Sequence, residues 1–162
     1  MAIPSRLQNE RPSTFFVTTK TAEGRRLLQS ERMAALLIEV LFEQRLIGSY
    51  LLHEFVVMPN HLHVLVTAEN SVSKAVQVIK GRFAHDARER FDLRLQVWQR
   101  GFSEHAIRDA RDYFIHRRYI WQNPVKAGKV VAADEFFFSS ACGKYSLDDA
   151  PFSAAAKAAR SF

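Results

Sequence analysis

Two rhythms of apolar and polar residues run along this chain, and the switches between them mark its elements. Thr14-Phe15-Phe16-Val17-Thr18-Thr19 is rich in β-branched and aromatic residues and reads as a first strand. From about Arg25 to Leu46, apolar Leu27, Leu28, Leu36, Leu37, Val40, Leu41 and Phe42 recur at helical spacing, and Gly48 closes that helix. Tyr50 to Met58 and His61 to Thr67 read as strands joined by the short turn Pro59-Asn60, which suggests an antiparallel hairpin. A second helix is expected from Ser71, its cap, to about Arg90, with Val72, Ala75, Val76, Ile79 and Phe83 on one face. Gln96-Val97-Trp98 and Phe102 to Ile107 offer short strand material. Asp109 to Gln122 reads as a third helix stopped at Asn123-Pro124, because proline disfavours helical geometry in the residue before it. The order β-α-β-β-α-β-α implies an α+β fold with a central antiparallel sheet.

Length and composition narrow the picture. The 162 residues suit one domain with a buried core. Residues 1–13, with Pro4 and Pro12, read as an arm, 14–131 as the functional domain and 132–162 as a tail with an Ala-rich end. No apolar run approaches the ~20 residues of a membrane helix, and the N-terminus lacks the apolar segment of a secretory signal. The single cysteine, Cys142, excludes an internal disulfide and suits a reducing cytoplasm.

Charge is unevenly distributed. The net charge is +6, and residues 1–70 contribute seven basic and seven acidic side chains. Residues 71–98 carry six against three, 99–130 carry seven against three, and the remainder three against four. The excess therefore lies between 71 and 130, as a binder of a polyanion requires. Charge alone does not separate such a binder from a protein with a solvated basic face.

Candidate chemistry begins at His61-Leu62-His63. On a strand, alternate residues share a face, so the two imidazoles project together while Leu62, Val64 and Val66 enter the core. Such a pair can share one metal ion. A histidine-triad hydrolase would need histidine where this chain has Leu65, and barrel metallohydrolases need a longer chain, roughly 250 residues. On the third helix Tyr119 and Asn123 are i and i+4 and share a face, so a phenol and an amide oxygen could converge on one site. Tyr113 faces elsewhere and is assigned to packing.

The motifs Met58-Pro59-Asn60-His61-Leu62-His63-Val64-Leu65, Trp98-Gln99-Arg100-Gly101-Phe102 and Tyr119-Ile120-Trp121-Gln122-Asn123-Pro124-Val125-Lys126-Ala127-Gly128 occur in this order. Over roughly residues 14–131 they resemble the single-tyrosine transposases of bacterial insertion sequences. Among these the REP-associated tyrosine transposases, of the HUH endonuclease superfamily, are most similar. The resemblance implies a ferredoxin-like or RRM-like sheet packed with helices. It also implies Tyr119 as nucleophile, His61 and His63 as metal ligands, and an amide on the tyrosine helix as third ligand. That amide falls at Asn123, although related enzymes use glutamine and Gln122 is adjacent. The implied cofactor is a divalent metal, Mg²⁺ or Mn²⁺. The implied reaction nicks and rejoins single-stranded DNA carrying hairpins, such as REP-like palindromes, through a phosphotyrosine. That chemistry would place the protein in the cytoplasm at the nucleoid, as monomer or homodimer.

Phosphate contacts are expected from Lys74, Lys80 and Arg82 on the second helix. Arg100, Arg108, Arg117, Arg118 and Lys126, around the third, are expected to share that role, with Trp98 or Trp121 available for stacking on bases. His53, His85, His105 and His116 match no ligand position and are assigned local roles. The alternative from a different class is a domesticated nucleic-acid-binding regulator that keeps the fold without transposing.

Overall fold

The computed structural model describes residues 12–69 and 71–152. The structure is α+β, with strands β1 (Ser13–Lys20), β2 (Leu51–Met58), β3 (His61–Ala68) and β4 (Ser103–Ala106) and helices α1 (Glu31–Leu46), α2 (Val72–Phe91) and α3 (Ala110–Lys126). The strands form one antiparallel sheet in the order β2-β3-β1-β4, the ferredoxin-like arrangement expected. Most of the N-terminal arm and the Ala-rich end lie outside the described residues.

Side-chain alternation gives the sheet two different faces. Phe15 and Val17 of β1, Phe55 and Val57 of β2, and Leu62, Val64 and Val66 of β3 pack with α1 and α2 in the main core. The opposite face carries Phe16, Val56, Met58 and Leu65, covered by Tyr113, Ile120 and Trp121 of α3. His61 and His63 are therefore not solvent-facing residues on an open sheet. They lie on the face that the tyrosine helix covers, and Leu62 enters the core as its register requires.

Three boundaries differ from the sequence reading. The first long helix begins at Glu31, not Arg25, because the Ser30 hydroxyl accepts the Met33 N–H and caps it there. The residues ahead of it form short 3₁₀ turns at Ala22–Gly24 and Leu27–Gln29. Gln96-Val97-Trp98 forms no strand, only an isolated bridge between Thr21 and Trp98.

The third difference lies at the helix that carries Tyr119. Asn123-Pro124 does not stop α3, which continues to Lys126 with Pro124 buried inside it. Proline this late forfeits one helical hydrogen bond, and the end is secured one turn on. There Gly128, at φ 72°, donates to the Val125 carbonyl at 3.0 Å, and Lys129 donates to that of Pro124 at 2.9 Å. This is the Schellman pattern, and it keeps Asn123 within a regular turn below Tyr119.

The segment after α3 docks along the free edge of β2. Val57 N–H donates to the Phe138 carbonyl at 2.9 Å, and the Asp148 carboxylate accepts from Leu52 N–H and pairs with Arg45 at 2.8 Å. An exposed sheet edge is thereby covered.

Leu62→Asp should destabilise the fold by more than about 3 kcal/mol, since it empties a packed site and strands a charge there. Urea unfolding measures this, and a wild-type midpoint for the variant would mean that the β3 register described here is wrong.

Candidate active site

The β1–β3 pairing sets the histidines among specific neighbours, with Thr18 opposite His63 and Lys20 opposite His61. His63 is 4% exposed. Its Nδ1 lies 2.7 Å from the Thr18 hydroxyl, while its Nε2 is buried without a hydrogen-bond partner. Burial, then the neighbouring charges of His61 and Lys20, push its pKa down to about 3, so the ring is neutral near neutral pH. The Thr18 hydroxyl can accept from Nδ1–H, and in that tautomer Nε2 keeps an unused lone pair in a protected position. That arrangement suits a metal ligand, whose other ring nitrogen is ordinarily held by an oxygen.

His61 is arranged in parallel. Its Nδ1 donates to the Asn60 side-chain oxygen at 2.7 Å, and the two imidazole centroids are 4.7 Å apart. Burial and the Lys20 charge lower its pKa, partly offset by the polar side chain of Asn123 beside it. Asn123, rather than the adjacent Gln122, therefore stands against His61. Two neutral imidazoles and an amide, which ligates through its oxygen, would make a donor set that fits a divalent cation of intermediate softness.

Tyr119 lies across this group from the helix above. It is 45% exposed, with its ring centroid 5.3 Å from that of His63. Phe16 of β1 meets three of the surrounding rings: His63 at 5.2 Å, Tyr119 at 5.8 Å and His116 at 4.8 Å. Lys126 Nζ lies 6.0 Å from the Tyr119 ring centre. Tyr113, assigned to packing, is fully buried beneath the helix.

A second cluster was missed by the sequence reading. The Asp112 carboxylate accepts from His105 Nε2 at 2.8 Å and from the Arg108 N–H at 2.9 Å, with His116 Nδ1 at 3.2 Å. Burial pushes the Asp112 pKa up, but these donors together hold it below the ordinary carboxylate range. The His105 and His116 rings stack 4.6 Å apart. The three side chains could also hold a metal ion. Each ring already shares one nitrogen with Asp112, His105 through Nε2 and His116 through Nδ1, so the cluster works as a hydrogen-bonded clip between β4 and the first turns of α3. Only the Asp112–His116 spacing of four was legible beforehand, because His105 arrives from a distant strand.

The basic residues differ in what already engages them. Lys80 Nζ donates to the Gln99 and Gly101 carbonyls, each at 2.9 Å, and Arg82 pairs with Asp86 at 3.1 Å. Arg117 lies over the Phe114 and Trp121 rings, at 4.7 Å from each. Lys74, Arg100, Arg108, Arg118 and Lys126 are exposed, Arg108 with its Nε 3.6 Å from Asp112. Trp98 packs in the core against Phe83, and Trp121 donates to the buried Glu54 carboxylate at 2.9 Å.

Two histidines on one strand, facing a tyrosine and an amide on one helix over a four-stranded sheet, form the arrangement expected of the single-tyrosine class. Residues 16–123 match the IS200-like transposase family, Y1_Tnp, and the chain belongs to that family. It is 34% identical over 105 residues to a REP-associated tyrosine transposase of Escherichia coli K12, covering 60% of this chain and 61% of that protein. The chain thus matches under two thirds of that relative's length. A solved structure of a REP-associated tyrosine transposase bound to a REP hairpin superposes with a TM-score of 0.67 at 29% identity, covering 87% of each chain. A second structure, from Deinococcus radiodurans R1, has a TM-score of 0.55 at 16% identity and bears on the fold alone.

The depressed pKa of His63 has a consequence for the metal-free protein. Between about 3 and the ordinary 6.5 the unfolded chain binds a proton that the folded chain refuses. The stability contributed by the neutral ring is complete above the upper value and is lost as pH falls through this window. His53 and His61, also depressed, act in the same direction. His63→Gln should flatten the stability–pH curve by up to about 1.4 kcal/mol per pH unit, measured by urea unfolding between about pH 4 and about pH 7. An unchanged slope would show that His63 titrates normally in the fold.

Proposed function

We propose that this chain is a metal-dependent transposase-type endonuclease that nicks and rejoins single-stranded hairpin DNA with Tyr119 as nucleophile. The observation carrying this reading is the buried, unpartnered Nε2 of a neutral His63 on the face that Tyr119 covers. A tyrosine that only anchored its helix would bury its ring, as Tyr113 does, and would need no polar convergence below it.

Tyr119 Oη attacks the scissile phosphorus as the bond from phosphorus to the 3′ oxygen breaks. The phenol proton passes to solvent, and the departing 3′ oxygen takes up a proton to become a free hydroxyl. The 5′ end is left esterified to Tyr119. Attack by a second 3′ hydroxyl reverses these steps and rejoins a strand without an external energy source, since the phosphodiester energy is conserved in the covalent bond.

His61, His63 and Asn123 would hold the divalent cation, Mg²⁺ or Mn²⁺. When bound, such an ion supplies Lewis-acid polarisation of a non-bridging phosphate oxygen. Asn60 accepts from Nδ1–H of His61 and Thr18 meets Nδ1 of His63, so each ring is held with its Nε2 available to an ion. Phe16, edge-on to Tyr119, limits where the phenol can swing. Tyr119 reaches histidines of its own chain, which favours a site complete within one protomer.

The hairpin partner is supported by the REP hairpin in the solved relative and by the exposed basic residues near the tyrosine helix. Arg100, Arg108, Arg118 and Lys126 are the best placed for phosphate contacts. Lys74 lies farther off, beside a separate cavity at the start of α2, and Lys80, Arg82 and Arg117 would have to exchange existing partners.

Tyr119→Phe should eliminate the covalent protein–DNA adduct on a denaturing gel while changing hairpin affinity by less than about threefold, since only one hydroxyl is removed. Adduct at the wild-type level would move the nucleophile elsewhere.

His61→Ala and His63→Ala should each weaken Mn²⁺ binding by at least about tenfold in calorimetric titration. Asp112→Asn should leave that binding intact. The reverse pattern would relocate the metal to the clip beside β4.

A further inference from the structure

Lys20 is the last residue of β1 and lies directly opposite His61 in the β1–β3 ladder. It shares its face of the strand with Thr18, two residues earlier, whose hydroxyl holds His63. Cross-strand neighbours of this kind have Cβ atoms about 5 Å apart, so the lysine side chain rises beside the histidine pair. Its backbone is fixed on both sides. The Lys20 carbonyl accepts the Gln99 N–H at 2.8 Å, and the next residue, Thr21, donates its N–H to the Asn60 carbonyl at 3.0 Å.

The ammonium itself has no hydrogen-bonding or ion-pair partner among the described residues. Several other cations among the described residues are engaged: Arg25 with Glu23, Arg45 with Asp148, Arg90 with Glu39, and Lys80 with two carbonyls. Lys20 instead brings its positive charge to the face of the sheet that carries both histidines, opposite His61 and diagonal to His63. An unpaired cation beside a cation-binding donor set weakens that set. The arrangement becomes favourable once an anion enters between them, and the anion of the proposed reaction is the scissile phosphate.

We propose that Lys20 is a further catalytic residue, whose ammonium contacts a non-bridging oxygen of the scissile phosphate and offsets the charge that develops as Tyr119 attacks. This rests on the nuclease reading above. Groups that act on developing charge matter more in the transition state than in the bound substrate. Lys20 should therefore contribute to rate more than to DNA affinity, while working against metal affinity in the free protein.

The experiment compares wild type, Lys20→Met and Lys20→Arg as full chains. It uses Mn²⁺ alone and a single-stranded oligonucleotide carrying an imperfect hairpin. Calorimetry without DNA should show Lys20→Met binding Mn²⁺ about threefold to tenfold more tightly, because a like charge has been removed. Single-turnover adduct formation at saturating metal and DNA should fall about 100-fold in the same variant, with hairpin Kd changed less than about threefold. Lys20→Arg should recover most of the rate. Opposite movements of metal affinity and rate are not produced by a damaged site, which loses both.

The proposal is overturned if Lys20→Met reacts at the wild-type rate, or binds Mn²⁺ more weakly. It is equally overturned if its rate loss disappears at saturating DNA, which would make Lys20 an ordinary strand-binding residue. Absence of adduct from wild type overturns the nuclease reading as well, whereas adduct from wild type with an unaltered Lys20→Met rate overturns only the role of Lys20.

Discussion

The pairing of Ser13–Lys20 with His61–Ala68 determines where the histidines of the site and their strand neighbours Thr18 and Lys20 lie. Side chains on a strand alternate faces, so a slip of one residue would send His61 and His63 into the α1/α2 core and Leu62 towards the tyrosine helix. The apolar alternation sets the register, since Phe15 and Val17 must enter the same core as Leu62, Val64 and Val66. Polar contacts then lock it at both ends: Thr14 and Thr67 share a 2.7 Å hydroxyl bond at one, and Thr18 meets His63 at 2.7 Å towards the other. Each is worth about 1 kcal/mol net, too little to choose the register but enough to orient an imidazole within it.

The second requirement is that α3 keep one rotational setting over that face. Tyr113 and Ile120 are buried beneath it, which turns Tyr119 outward and brings Asn123 to His61. Its two ends are secured by unlike means. Asp112 collects donors from β4, from the loop before the helix and from His116, while the other end is closed by Pro124 and the Gly128 turn. Phe16 links the assemblies, since its ring meets His116 on one side and His63 and Tyr119 on the other. Displacing the clip would therefore move the tyrosine without touching any of the proposed ligands.

What could be read beforehand followed from periodicity. Strand alternation placed His61 and His63 together and Leu62 opposite, and helical spacing placed Asn123 beneath Tyr119, because both relations are local in the chain. The end of α3 was misjudged because the conformational preference before proline is weak against a buried face and a Schellman end. Lys20, Thr18 and His105 were invisible as site residues for a different reason: their positions depend on pairings between segments tens of residues apart. The basic stretch was found, but its summed charge could not reveal that Lys80 supports the loop at Gln99–Gly101 or that Arg82 is tied to Asp86.

That last point changes how the charge of the chain bears on DNA binding. A cation already paired with a carboxylate exchanges one anion for another when phosphate arrives, and it gains less than a cation neutralised only by mobile counterions. The excess between 71 and 130 therefore overstates the electrostatic surface that DNA can use, because part of it maintains the fold. The segment before residue 71, neutral in sum, supplies Lys20, with no partner for its ammonium among the described residues and its side chain beside the histidines. Proximity to the reacting phosphate and freedom from protein partners, rather than density along the sequence, decide which positive charges can contribute to chemistry.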